Sequence, residues 1–180
     1  MGAVDWDQEL PLDGRQRRET FARFGLAAYQ AQCVERALAI LLASTHNPVF
    51  LQSSAGEQDR FFDTEFAKTM GVLVRTIGER VSLAPDLESR LGRAVDLRNW
   101  LMHRYFWERA WEITDNDGRE RMIAELEEAA NLLGALDDEL SEISAKWLDE
   151  IGVSRGTVEA LVAQWMDRGS VPSFESEVQH

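Results

Sequence analysis

Residues 119–147 read RERMIAELEEAANLLGALDDELSEISAKW, and within them Met122, Leu126, Ala129, Leu133, Leu136, Leu140, Ile143 and Trp147 recur at alternating steps of four and three. That rhythm returns to one side of a helix of 3.6 residues per turn, while Glu and Asp fill the positions between. A strand would need alternation at every second residue, and no segment of the chain sustains it. The stretch therefore predicts one continuous helix over 119–147 whose seam lies in a helical core, with a dimer contact as the second reading of the same seam.

Working outward, Thr114, Asp115, Asn116, Asp117 and Gly118 are all turn formers and predict a loop before that helix. Further upstream, Pro85 suits a first helical turn, and Leu87, Leu91, Ala94, Arg98, Leu101 and Tyr105 form the next stripe. Asp59 is a candidate N-cap for a helix striped by Phe62, Phe66, Met70, Leu73 and Ile77 and ending near Ser82. A first long helix is expected over 18–44, with Phe21, Phe24, Ala28, Ala31, Leu38 and Leu41 on one face, stopped at His46, Asn47 and Pro48. Downstream, Ile151 to Met166 predicts a shorter helix. The expected architecture is an all-α bundle of four to five helices over 18–168, flanked by an N-terminal extension over 1–17 and a flexible tail over 169–180.

The 180-residue length suits one domain, and 44% hydrophobic residues suffice for a core without a metal or a disulfide. The single cysteine, Cys33, has no pairing partner in the chain and fits a reducing compartment. Asp5, Asp7 and Glu9 around Trp6 do not resemble a secretory signal, and the apolar run from Ala37 to Ala43 is too short for a bilayer, so the expected location is cytoplasmic. The net charge is −13, unfavourable for phosphate contact as a whole but unevenly spread. Residues 60–110 hold nine Arg and Lys against seven acids, whereas residues 111–150 hold three against thirteen. The acidity belongs mainly to one segment, which reads first as a solvated helix face.

Three places invite a functional reading. The segment Gly152, Val153, Ser154, Arg155, Gly156, Thr157 and Val158 looks like the start of a DNA-recognition helix. Residues 148–169 nevertheless hold two Arg against four acids, the wrong sign for phosphates, so a Ser-capped structural helix is the stronger reading. His46, His103 and His180 do not pair at helical spacing, so no catalytic metal is predicted. The third place is the run Arg98, Asn99, Trp100, Leu101, Met102, His103, Arg104, Tyr105. An arginine in an apolar stripe costs several kcal/mol if buried without a partner, so something must meet its charge or the site must be wet, which implies a cleft or an interface.

The pattern Arg-Asn-x-x-x-His-x-Tyr at 98–105 resembles the signature of the HEPN superfamily of helical proteins. The likeness spans roughly residues 18–147, because a long helix containing Phe24-Gly25 and Gln32-Cys33-Val34-Glu35-Arg36 precedes the motif and another long helix follows it. Many HEPN proteins are metal-independent endoribonucleases, and some are toxins paired with a nucleotidyltransferase-like antitoxin. The resemblance thus implies an RNA substrate, no cofactor, Arg98 and His103 as the catalytic pair, and Asn99 as the polar residue beside them. It also implies a regulatory or orienting role for Tyr105, which matches the tyrosine that such an antitoxin can modify with adenylate. HEPN domains without catalysis also exist, which makes a helical binding or scaffold module the alternative.

The chemistry is consistent with these roles. An imidazole near its ordinary pKa of about 6.5 can take the proton of a ribose 2′-hydroxyl, and a guanidinium can stabilise charge on phosphorus without losing its own proton. Helix geometry adds a constraint, since five residues at about 100° each set Arg98 and His103 roughly 140° apart. Either the helix breaks between them, or a second subunit completes the cleft; the second option makes the protein a homodimer. The aromatic residues Trp100, Tyr105, Phe106, Trp107 and Trp111 would then supply core packing, apolar contact or a surface for stacking bases. The acidic segment after the motif and the C-terminal helix depart from the minimal toxin pattern.

Overall fold

The structure is a computed structural model, and it describes residues 12–46, 56–57, 60, 64, 68–80, 83–150, 152, 153 and 156. Its helices are α1 (Leu12–His46), α2 (Met70–Arg80), α3 (Pro85–His103), the one-turn α4 (Tyr105–Glu108) and α5 (Asn116–Glu150), with a 3-10 turn over Glu112–Thr114. No strand occurs among the described residues, so the fold is an all-α bundle. No helix among them is long and apolar enough to cross a membrane.

The frame is a pair of 35-residue helices, α1 and α5, lying side by side and parallel. Gln16 donates to Glu120 at 3.2 Å, Arg23 meets Glu127 at 3.2 Å, and the Gln30 side chain lies beside Gly134. These partners share one offset of 104 residues and step by seven, the register of a coiled-coil seam. The seam of α5 follows the sequence through Met122, Leu126, Ala129, Leu133, Leu136 and Leu140, all buried. Beyond Leu140 it departs: Ser144 and Leu148 are buried, while Ile143 and Trp147 are half-buried. A helix of 3.6 residues per turn drifts about 20° per heptad, so a straight α5 moves its inner face from the four-three rhythm to steps of four.

In α1 the expected face holds at Ala31, Leu38 and Leu41, which are buried, and shifts in the first half of the helix. Thr20, Ala27, Val34, Ala37, Ala39 and Leu42 are buried as well, whereas Phe21 is 54% exposed and Phe24 and Ala28 are half-buried. Small residues line the seam because two helix backbones approach closely there, and the phenylalanines turn toward the shorter elements instead. The helix also starts at Leu12, six residues before its expected start, so residues 12–17 belong to the bundle.

The next helix matches its expected stripe at Met70, Leu73 and Ile77 but begins only at Met70, because Lys68 and Thr69 are not helical and interrupt the helix expected from Asp59; Asp59, Phe62 and Phe66 lie outside the described residues. Pro85 sits at the first turn of α3. This helix runs antiparallel to both long helices: Arg90 pairs with Glu139 and Arg109 with Glu125, while Arg98 pairs with Glu35 and Tyr105 lies against Phe24.

The expected loop at 114–118 is mostly helix. Asp115 is extended and its carboxylate accepts from the Gly118 N–H at 2.7 Å, an N-cap that starts α5 at Asn116. Turn-forming residues are also the best capping residues, which is why composition alone placed the boundary too late. At the other end, Gly152 adopts φ 79°, and the amides of Gly152 and Val153 donate back to Asp149 and Leu148 at 3.0 and 2.9 Å. This closes α5 in a Schellman turn. Of the helix expected from Ile151 to Met166, Gly152 and Val153 belong to this turn, Gly156 is helical, and the rest lies outside the described residues.

Candidate functional site

Three features place the motif. The α3 stripe buries Leu91, Ala94 and Leu101 and thereby aims Arg98, on the same side, at α1. There its Nε donates to Glu35 Oε1 at 3.0 Å, both side chains being about one quarter exposed or less. The charge of this arginine is therefore met from inside the chain, by a carboxylate of α1, where the stripe had implied a cleft or an interface.

The second feature is the continuity of α3. The helix does not break between Arg98 and His103; it runs unbroken to His103 and leaves helical geometry only at Arg104, with φ −132° and ψ −23°. Asn99 and His103, four residues apart, are both exposed neighbours on one face. Arg98 Nη1 reaches across to donate to Asn99 Oδ1 at 3.3 Å, so the long guanidinium side chain partly spans the angular gap. One chain thus gathers Arg98 and Asn99 directly and sets His103 one turn further on.

Third, Tyr105 is wholly buried, and its hydroxyl donates to the Met122 carbonyl at 3.3 Å. Phe24, Trp100 and Phe106 surround the ring at centroid distances of 6.0, 4.9 and 5.3 Å. Burial, followed by the nearby Glu125 carboxylate, pushes the phenol pKa well above its ordinary value. A neutral, enclosed hydroxyl orients the motif against α5; transfer of a group onto it would require the aromatic cluster to open.

The aromatic residues divide in two. Phe106 packs on Phe24 at 4.8 Å and on Phe21 at 5.5 Å, and Trp100 Nε1 donates to Glu108 at 2.7 Å. That bond, with Arg104 and Arg109 close by, holds the Glu108 carboxyl below its usual range. Arg109 lies over the Trp100 ring at 5.4 Å and pairs with Glu125 through two bonds of 2.9 and 2.6 Å. Trp107 and Trp111, in contrast, are 86% and 84% exposed.

Glu35 and Arg119 are two residues whose roles the sequence did not reveal. Glu35 also lines a cleft of about 240 Å³ with Gln32, Arg36, Lys68 and Leu73. Arg119 is 2% exposed, and among the described residues it donates to neutral acceptors: Gln16 Oε1, the Ile113 carbonyl and Asn116 Oδ1. It had a signal, since stepping three residues back along the seam from Met122 lands on it. Among the described residues no group of three or more His, Cys, Asp or Glu side chains is placed to hold a metal ion. Comparison with known families, curated proteins and solved structures returned no match for this chain.

Proposed function

We propose that this protein is a HEPN-like, metal-independent endoribonuclease that acts on single-stranded RNA as a homodimer, in the manner of a toxin with a nucleotidyltransferase-like antitoxin. One observation carries the reading: Asn99 and His103 stand exposed on adjacent turns of α3, with an Arg98 amine on the Asn99 side-chain oxygen. A base and a fixed cation beside one open surface are what 2′-hydroxyl attack requires. His103 accepts the 2′-hydroxyl proton as that oxygen bonds to phosphorus. The bond from phosphorus to the 5′-oxygen breaks, and the leaving oxygen takes a proton from imidazolium or water. Arg98 stabilises the charge on phosphorus. The products are a 2′,3′-cyclic phosphate and a 5′-hydroxyl. Cleavage of single-stranded RNA in EDTA, giving these ends and lost in His103→Ala, is the test.

A specific observation favours a second reading. Arg98 already holds a carboxylate, so the motif arginine has a role in the fold that needs no substrate. A noncatalytic HEPN scaffold would keep the Arg98–Glu35 pair and cleave nothing.

A further inference from the structure

Arg119 is the largest fully buried side chain of the fold, and among the described residues no carboxylate meets it. A guanidinium carries five N–H donors in a fixed fork. Three are engaged: Nε donates to Gln16 Oε1 at 3.3 Å, Nη1 to the Ile113 carbonyl at 2.9 Å, and Nη2 to Asn116 Oδ1. Two donors and the whole positive charge remain. Neutral acceptors satisfy hydrogen bonds without cancelling charge, and a cation withdrawn from water is costly unless an anion stands near it.

Beside this group lies a cleft of about 360 Å³ at the first turns of α1, lined by Arg15, Gln16, Arg18, Glu19 and Ile123. Gln16 links the two: its side-chain oxygen accepts from Arg119, and its amide nitrogen donates to Glu120 at 3.2 Å and keeps a second hydrogen. Glu120 therefore reaches Arg119 only through a neutral amide. The one acid of the lining, Glu19, accepts from Arg23 at 2.7 Å. Leu12 and Asn116, the first residues of α1 and α5, are themselves 104 apart, so the positive ends of two parallel helices lie together. Asp13 and Asp117 answer those ends from exposed first-turn positions outside the lining.

We propose that this cleft is a phosphate site, in which Arg15, Arg18 and the Gln16 amide hold the oxygens and Arg119 supplies charge from behind. It goes beyond the reading of Asn99 and His103 and does not depend on it. Guanidinium forks match the paired oxygens of a phosphate. With three arginines around one acid that is already bonded, a doubly charged oxyanion balances the cleft better than a monovalent one. The ligand is therefore free phosphate or a terminal phosphomonoester, and not the singly charged diesters inside a nucleic-acid strand.

Calorimetry of the full chain at matched ionic strength tests this with inorganic phosphate and with thymidine hexanucleotides bearing a 5′-phosphate or a 5′-hydroxyl. These oligonucleotides lack the 2′-hydroxyl, so the outcome is separate from any ribonuclease activity. One equivalent of inorganic phosphate should bind with a Kd of about 1 mM or tighter. Tighter binding of the 5′-phosphorylated strand would assign the site to a chain end, and binding of inorganic phosphate alone to the free ion; both support the proposal. Arg15→Ala/Arg18→Ala, two exposed positions, should keep its helical circular dichroism and weaken phosphate binding at least about 10-fold. Gln16→Glu places a carboxylate where the anion would act and should abolish binding. Arg17→Ala/Arg121→Ala removes two exposed arginines from the same first turns outside the lining and should bind phosphate as the parent does. No heat with phosphate or the phosphorylated strand overturns the proposal, as does equal weakening in the two arginine pairs, which would show diffuse charge instead of a site. Undiminished binding by Gln16→Glu overturns it too, and so does equal affinity for the two strands without binding of inorganic phosphate.

Discussion

Arg98 and Glu35, 63 residues apart in the chain, meet at 3.0 Å between Nε and Oε1 and tie α3 to α1 at the motif. Both side chains are sheltered but not sealed, at 23% and 22% exposure. The pair lies between a surface ion pair, worth little, and a buried one whose breaking leaves an isolated charge. Glu35→Ala should therefore destabilise the protein by about 1–3 kcal/mol in urea titration. Arg98→Ala should cost a similar amount, and the double variant less than the two together, because each single change leaves the other charge unpaired. Additive losses would show that the pair does not act as a unit. The same experiment bears on function, since loss of cleavage in Arg98→Ala counts as chemistry only beyond what Glu35→Ala also removes.

His103 is exposed at the end of α3, so His103→Ala should melt like the parent. Cleavage in EDTA should fall by ~100-fold to 10,000-fold, the usual contribution of a general acid or base. Arg104→Ala is the comparison: Arg104 is 70% exposed and paired with Glu108 at 2.6 Å, and its loss should matter far less. Equal rates for the parent and His103→Ala would remove His103 from the mechanism.

Leu133 is completely buried on the face of α5 that packs against α1. Leu133→Asp places a carboxylate there at a cost of several kcal/mol, comparable to the stability of a whole domain. The variant should lose its cooperative melt. A melt like that of the parent would place the seam elsewhere.

Gly118 is fixed by close approach. A Cβ there would lie 2.1 Å from the Glu112 carbonyl oxygen and 2.6 Å from the Glu112 Cα, both backbone atoms. Gly118→Ala must push the 3-10 turn away from the first turn of α5, and should destabilise by about 1–3 kcal/mol. Gly92, in the middle of α3, has nothing within 4 Å of the same position. Gly92→Ala should stabilise by ~0.5–1 kcal/mol, because alanine is the better helix former and loses less entropy on folding. Thermal melts of the two variants should shift in opposite directions.

Asp137 carries a charge that the fold disfavours. Burial first, then neighbouring Asp138, raises its pKa above the ordinary 3.8, with Arg36 opposing. A carboxyl raised in the folded state binds its proton more tightly there than when unfolded. Stability is therefore lost as pH rises from about 3.8 through the folded value, and the penalty is complete at neutral pH. Asp137→Asn should raise the melting temperature at pH 7, with the gain shrinking as pH falls toward 3.8. A gain independent of pH would mean that charge is not its cause.

The helical periods alone determined the class of fold, the seam of α5 as far as Leu140, the stripe of α2 and the buried set of α3, because a repeat of four and three leaves one side of a helix apolar wherever the chain goes. They also determined that Arg98 needed a partner or a wet site, since desolvation penalises any guanidinium in an apolar stripe. Only the tertiary structure decided which charge answers it, because a salt bridge across 63 residues depends on how α3 runs against α1. The same holds for α1, where alternating apolar positions permit two nearby faces and close packing against α5 selects the one with small side chains. It holds as well for the aromatic residues at 100–111, alike in sequence, of which Trp100, Tyr105 and Phe106 turn to the core while Trp107 and Trp111 face outward. Hydrophobicity says that a ring prefers burial, and the packing of its neighbours decides whether there is room.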